Sequence, residues 1–144
     1  MPNVVTENRS DADAAYVWEA LKDIESFPSY MDVVRNIKID EWSGERRVSS
    51  WSVMLKGSIL EWQEEELIDE ATRTITFRQL EGDLAYFNGS WAVGEQDGLT
   101  VLRLEVDFDI GIPLLAEMLN PVAALALEDN STAILEHLQQ RARR

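Results

Sequence analysis

The strongest constraint on the fold is the alternation of apolar and polar residues that runs from residue 37 to residue 109. Short polar or glycine-containing breaks at 42–45, 69–72, 81–83 and 95–98 interrupt it. Alternation places successive side chains on opposite faces of a strand, and breaks of this length are typical of hairpin turns. The pattern therefore predicts an antiparallel meander with strands at 34–41, 46–56, 58–68, 73–80, 84–94 and 99–109.

In the segment before the meander, a short stretch in which apolar and polar residues alternate is followed by apolar residues at helical spacing. Helical spacing of apolar residues after a short polar residue is typical of a capped amphipathic helix, and a proline ends such a helix. The sequence predicts a first strand at 4–9. It then predicts a helix that is capped by Ser10 or Asp11 and carries Ala14, Val17, Trp18 and Leu21 on one face. After the break at Phe27 and Pro28 it predicts a second short helix or turn at 29–34.

The segment after the meander predicts a long C-terminal helix at 114–143. Pro113 stands where a helix starts favourably, and Pro121 should kink the helix or divide it. Because a sheet of this size has a face to cover and this helix is the longest element, the sheet should curl around it. We expect an α+β protein with a single domain over residues 1–144, in which a curved antiparallel sheet of six to seven strands wraps around the C-terminal helix.

Charge and composition exclude several classes of function. The chain has 13 lysine and arginine residues against 27 aspartates and glutamates, a formal net charge of −14, which repels nucleic acid. It has no cysteine, no apolar stretch of membrane-spanning length and no leader-like start, so we expect a cytoplasmic protein without disulfides or a membrane span. There is no phosphate-binding glycine loop, Ser/His/Asp spacing or metal cluster, and we expect no cofactor and no metal.

Several local strings carry a resemblance that covers nearly the whole chain. They are the run from Val17 to Asp23 before Phe27 and Pro28, Trp62 with Asp69 and residues 73–77, the triplet Gly89, Ser90 and Trp91, and the run from Asp109 to Pro113. With the element order, they resemble the superfamily of START domains, plant allergens of the Bet v 1 type, coenzyme Q-binding proteins and bacterial polyketide cyclase/aromatases. The resemblance implies a helix-grip fold with a cavity for a hydrophobic small molecule.

The resemblance leaves two main classes of function open. One is a cyclase or aromatase of bacterial natural-product biosynthesis, which promotes intramolecular aldol cyclisation and dehydration of a polyketide intermediate. The other is a non-catalytic carrier of a lipid, quinone or pigment, and a structural or co-chaperone role ranks third. An acidic acyl carrier protein would be repelled by this chain unless it met a local group of cations, Arg141, Arg143 and Arg144. The alternative role of these arginines is to stabilise the C-terminus of a helix by their charge. We expect a monomer or homodimer.

The strand that ends at Asp69 departs from the cyclase pattern. In that branch the strand resembles Trp-x-Ser-Arg-Arg, two apolar residues and Asp, and an arginine of the motif polarises the polyketone. Here glutamate stands at both arginine positions. If the chain is a cyclase, its acid/base groups should therefore be carboxylates, amides or hydroxyls.

Strand parity selects the candidate catalytic residues. In the strand at 58–68 the even positions are the more apolar, so Glu64 and Glu66 should share the inner face with Trp62. A desolvated carboxyl there has a raised pKa that suits proton transfer; the alternative is a solvated strand end. Asn130 of the C-terminal helix is the third catalytic candidate, with a helix-surface residue as its alternative. The single histidine, His137, is interpreted as a surface or capping residue.

The predicted ligand-binding residues line an internal cavity of roughly 300 to 1,000 Å³. Most aromatic residues of such a chain belong to the core, but flat rings also stack on flat ligands. The faces of Tyr86 and Asn88 stay open, because Gly89 is typical of a bulge that shifts the parity. The ligand-binding candidates are Trp51, Trp62, Phe77, Tyr86, Asn88, Trp91, Leu104 and Met118.

Overall fold

The computed structural model describes residues 3–31, 34–55 and 58–109, and in the C-terminal segment residues 132, 135–138 and 140. All of the predicted strands are present and end within a few residues of the predicted positions. In chain order the elements are β1 (Asn3–Ser10), α1 (Ala14–Lys22), a 3-10 helix (Ile24–Ser29), β2 (Val34–Ser43), β3 (Arg46–Leu55), β4 (Ser58–Asp69), β5 (Thr74–Gly82), β6 (Tyr86–Gln96) and β7 (Leu99–Asp109).

The strands form one seven-stranded sheet in the order β1-β7-β6-β5-β4-β3-β2. Each pair of neighbours is antiparallel, so the meander from β2 to β7 is confirmed and β1 adds to its far edge beside β7. Register shifts occur in the β2–β3 pair and between Gln63 and Glu64 in the β4–β5 pair. Such bulges increase the local twist and bend of a sheet.

Helix α1 forms for the predicted reason but has a different cap. The residues of its predicted apolar face, Ala14, Val17, Trp18 and Leu21, are buried. The side chain of Asp13 accepts a hydrogen bond from the Ala15 N–H, so Asp13, rather than Ser10 or Asp11, is the N-cap. The Ser10 hydroxyl accepts from the Ala12 N–H just before the helix and shapes the approach to it.

The core lies on one face of the sheet, here called the inner face. In β7 the alternation gives buried Leu102, Leu104, Val106 and Phe108 on this face, as predicted. The described part of the C-terminal segment has helical positions at 132, 135–138 and 140, and Leu135 and Leu138 belong to the same buried cluster. The predicted helix start at Pro113 and the kink at Pro121 lie outside the described residues.

Candidate functional site

An aromatic row crosses the inner face of the sheet. Trp51 and Trp62 are directly opposite in the β3–β4 register, and their rings stack at 5.6 Å with an interplanar angle of 10°. Phe27 of the 3-10 helix packs edge-on against Trp51 at 6.0 Å, and Phe87 lies 5.0 Å from Trp62. Phe77 continues the row at 5.6 Å from Phe87. The row gives the inner face a continuous aromatic surface, and aromatic rings are suited to contact with a flat apolar ligand.

Five of the predicted ligand-binding residues lie on this face. Trp51, Phe77, Trp91 and Leu104 are buried, and Trp62 is half-buried. Trp91 pairs with Ile75 of β5 and Leu104 of β7, which extends the apolar wall beyond the aromatic row.

Five polar residues, here called the inner polar cluster, interrupt this apolar wall. Register brings them together, because β3, β4 and β5 are neighbours and residues directly opposite share a face. Arg47 pairs with Glu66, Ser49 pairs with Glu64, and Gln79 pairs with Glu64 from the other side. The cluster is Arg47, Ser49, Glu64, Glu66 and Gln79.

Glu66 is held in a buried ion pair. The Arg47 Nε donates to Glu66 Oε1 at 2.6 Å, and the Ser49 hydroxyl donates to the same oxygen at 3.1 Å. Arg47 is 0% exposed and Glu66 1% exposed. Arg47 Nη1 also donates to the carbonyl oxygen of Lys22 at the end of α1, at 2.8 Å. The guanidinium therefore joins the helix end to the sheet and compensates the charge of Glu66.

Glu64 is buried without a cation of its own. It is 2% exposed, and its Oε1 accepts a hydrogen bond from the Trp62 indole N–H at 2.7 Å. Burial raises the pKa of the Glu64 carboxyl well above its ordinary value, and the neighbouring Glu66 carboxylate raises it further. The Trp62 N–H and the Arg47 charge oppose this rise with smaller effects. The neutral, protonated form of Glu64 is favoured, and the alternative of a solvated strand end is wrong for both glutamates.

Three polar atoms of the cluster have no hydrogen-bond partner among the described residues. They are Arg47 Nη2, Glu64 Oε2 and Gln79 Oε1, all of them buried. Gln79 uses its amide nitrogen to donate to the Leu84 carbonyl oxygen at 2.6 Å, which leaves its carbonyl oxygen available. Buried polar groups are nearly always paired in folded proteins, so three orphaned atoms on one face indicate a place where a ligand or water completes the bonding.

Tyr86 and Asn88 lie on the opposite, outer face, which corrects their expected place in the cavity wall. Gly89 does not shift the parity of β6 against β7, so Phe87 and Trp91 point inward and Tyr86, Asn88 and Ser90 outward. These three residues line a surface groove of about 590 Å³ together with outer-face residues of β4, β5 and β7. This groove is not the predicted internal cavity, because it lies across the sheet from Glu64 and Trp62.

Two predicted residues fall outside the described part of the chain: the ligand-binding candidate Met118 and the catalytic candidate Asn130. His137 is described, half-buried within the C-terminal helical segment.

Arg47, Ser49 and Gln79 were not among the residues predicted from the sequence. The first two share strand parity with Trp51, so that alternation applied to β3 would have placed them beside the carboxylates. Strand β4 has glutamates at the arginine positions of the motif, as the sequence shows, but the neighbouring strand β3 brings a cation, Arg47, to the inner face. Gln79 shares strand parity with Phe77 in β5, and the register shift lies beyond its pairing with Glu64, so the same alternation would have placed it on this face as well.

A metal-ligand cluster is absent from the described residues, since no three histidine or acidic side chains there converge suitably. Among the described helices, none has the length and apolar character needed to cross a membrane.

The comparison with family models identifies the family. The model of the polyketide cyclase/dehydrase and lipid transport family matches residues 10–135. The chain belongs to this family. No curated protein matches the chain.

Solved structures agree with this assignment. The protein TTHA0849 from Thermus thermophilus superposes with a TM-score of 0.91 at 25% identity, over 99% of this chain and 97% of that one. The Zhui aromatase/cyclase from Streptomyces sp. R1128 gives 0.86 at 26% identity, over 99% and 94%. The major latex-like protein 151 of Panax ginseng gives 0.79 at 13% identity, over 99% and 98%, a likeness of fold alone. The predicted helix-grip fold of the Bet v 1 and START type is confirmed, and it is a ligand-binding fold.

Proposed function

We propose that the chain is a polyketide cyclase/aromatase-like enzyme that binds a hydrophobic, oxygen-bearing molecule on the inner face. Its reaction is intramolecular aldol cyclisation followed by dehydration. The observation that carries the proposal is Glu64, a buried carboxyl beside the stacked tryptophans with one oxygen that has no partner among the described residues. A neutral carboxyl in a dry pocket is a suitable proton donor for a carbonyl oxygen.

The aldol step then needs little more than confinement and one proton. As the enol carbon of the substrate attacks its ketone carbon, Glu64 donates its proton to the ketone oxygen, which becomes a hydroxyl. The enol proton leaves to solvent. In the dehydration the Glu64 carboxylate takes an α-proton, and the hydroxyl departs as water with a proton from solvent, which balances the enol proton released earlier. A carbon–carbon double bond remains, and Glu64 is protonated again. Confinement against the aromatic side chains of the inner face favours the folded arrangement in which the reacting carbons meet.

The other members of the cluster support Glu64 in this proposal. The Glu66 side chain, which lies 2.6 Å from Arg47 in the ion pair, raises the pKa of Glu64 and so favours its protonated resting form. The Trp62 N–H and the Arg47 charge stabilise the transient Glu64 carboxylate once its proton has moved. Asn130 stays a proposed third polar contact.

A carrier of a lipid, quinone or pigment is the second candidate. The aromatic row favours it equally, since stacking and apolar burial suffice for binding without chemistry. An acyl carrier protein as partner, a monomeric or homodimeric state and a cytoplasmic location stay proposals under either function.

Turnover of a simple diketone tests the proposal. A suitable probe is an aryl diketone whose two carbonyl groups are separated by three methylene groups, because it closes to an aryl cyclohexenone with a new ultraviolet band. The wild type should accelerate closure, and Glu64→Gln should reduce the rate by about 10²–10⁴ with little change in probe affinity. Glu61→Gln is the matched control, because Glu61 is an exposed glutamate of the same strand.

Two results would contradict this assignment. Equal turnover by the wild type and Glu64→Gln would remove Glu64 from the reaction. Saturable binding of the probe with no acceleration by the wild type would favour the carrier.

A further inference from the structure

We infer that the inner-face site selects neutral ligands that carry a hydrogen-bond-accepting oxygen and rejects ligands that carry a carboxylate. The inference rests on the proposed function in one respect, that the ligand occupies the inner face beside Glu64. It goes further by assigning the charge of the ligand, which separates neutral ketones, quinones and similar molecules from fatty acids and other organic acids.

The balance of charges on the inner face is the first argument. Arg47 is the one cation that the described residues place there, and its Nε is already committed to Glu66. Two neighbouring cations, Lys22 at the end of α1 and Arg46 in β3, pair instead with the carboxylates of Glu70 and Glu65. With Glu64 neutral the cluster has no net charge, so a bound carboxylate would add a negative charge that no cation compensates.

The orphaned atoms are the second argument. Glu64 Oε2 and Arg47 Nη2 are buried and lack partners among the described residues, and both act as donors when Glu64 is protonated. A carbonyl oxygen accepts from such donors without bringing a charge into the apolar wall. Gln79 Oε1 adds an acceptor one strand further on, which suits a hydroxyl or enol of the same ligand.

The groups that face Glu64 determine its own charge state. From β3 these are Ser49, which is neutral, and Arg47, which is paired; from β4 it is Glu66, and from β5 it is the neutral amide of Gln79. The carboxylate of a bound ligand, added to that of Glu66, would oppose ionisation of Glu64 still further. Burying an uncompensated charge is far more costly than burying a hydrogen-bonded carbonyl group.

A matched pair of probes tests the inference by isothermal titration calorimetry. Acetonaphthone and naphthoate have the same ring and nearly the same shape, but the methyl ketone is neutral and the carboxylate is anionic. At neutral pH the wild type should bind the ketone at least about tenfold more tightly. Because the chain has a net charge of −14, the comparison is made at low and at raised salt, which screens long-range repulsion.

One variant tests the cause of the selectivity. Glu66→Gln frees Arg47 from its partner and should raise naphthoate affinity by about tenfold or more relative to ketone affinity. Glu61→Gln removes the same charge from the exposed side of β4 and should leave the selectivity unchanged.

The outcomes separate the inference from the proposed function. Equal affinity for both probes in the wild type would overturn the inference and leave the proposed function standing. A ketone preference that disappears at raised salt, or a folded Glu66→Gln variant with unchanged selectivity, would also overturn it. Absence of binding by either probe would overturn both. If Glu66→Gln does not fold, the wild-type comparison at raised salt decides.

Discussion

Replacing Arg47 by methionine should destabilise the protein strongly. The guanidinium is fully buried, donates to Glu66 at 2.6 Å and to the carbonyl oxygen of Lys22 at 2.8 Å, and lies with its central carbon 4.9 Å from the Trp42 ring centroid. Methionine keeps most of the apolar volume but leaves Glu66 buried with the Ser49 hydroxyl as its remaining described donor. Removing one partner of a buried ion pair typically costs about 3–5 kcal/mol, and the lost bond to the helix end adds to this.

Urea unfolding followed by tryptophan fluorescence measures this cost. Arg46→Met is the matched control, because Arg46 is the preceding residue of β3 and forms its ion pairs with Glu41 and Glu65 while half-exposed. The control should lose only a small fraction of the stability that Arg47→Met loses, since solvent screens exposed pairs. Similar losses in the two variants would refute the argument that the Arg47 pair is a buried one.

The double variant Arg47→Met/Glu66→Met keeps the reasoning testable if the single variant does not fold. It removes both charges and replaces them with apolar volume, so it should recover most of the lost stability. A double variant no more stable than Arg47→Met would mean that the cost comes from packing or from the bond to Lys22 instead of from the unpaired carboxylate.

Two further predictions concern stability. An unfolded glutamate ionises near pH ~4.3, but folded Glu64 has a raised pKa. The contribution of Glu64 to the stability of the wild type should therefore fall as pH rises from that unfolded value through the folded pKa, by up to about 1.4 kcal/mol per pH unit. Glu64→Gln lacks this loss, so its stability relative to wild type should increase with pH in urea unfolding; parallel profiles would contradict the raised pKa. Gly89→Ala should lose about 1–3 kcal/mol in the same assay, because its Cβ would lie against the Glu105 carbonyl oxygen and 2.6 Å from Phe77 Cζ. Gly94→Ala, whose Cβ meets nothing within 4 Å, should be nearly neutral, and equal losses would show that the Gly89 contact is not limiting.

Some residues of the candidate site could be placed from the sequence and others could not. The difference is whether alternation within one strand or the pairing of two strands determines the face. Glu64 and Trp62 are two residues apart in one strand, so parity alone places them on one face. Tyr86 and Asn88 could not be assigned, because a glycine in a strand is compatible with either parity. Only the pairing of β6 with β7 places both on the outer face, with Phe87 and Trp91 inside.

The sequence by itself determined the strands, their turns and the inward direction of Glu64 and Glu66, because these follow from alternation within single segments. Tertiary structure alone decided which side chains compensate those carboxyls. Arg47 is 19 residues from Glu66 along the chain, yet the β3–β4 register sets them opposite each other. The raised pKa of Glu64 likewise depends on burial and on the neighbouring Glu66, and desolvation is a property of the packed sheet that no single strand possesses.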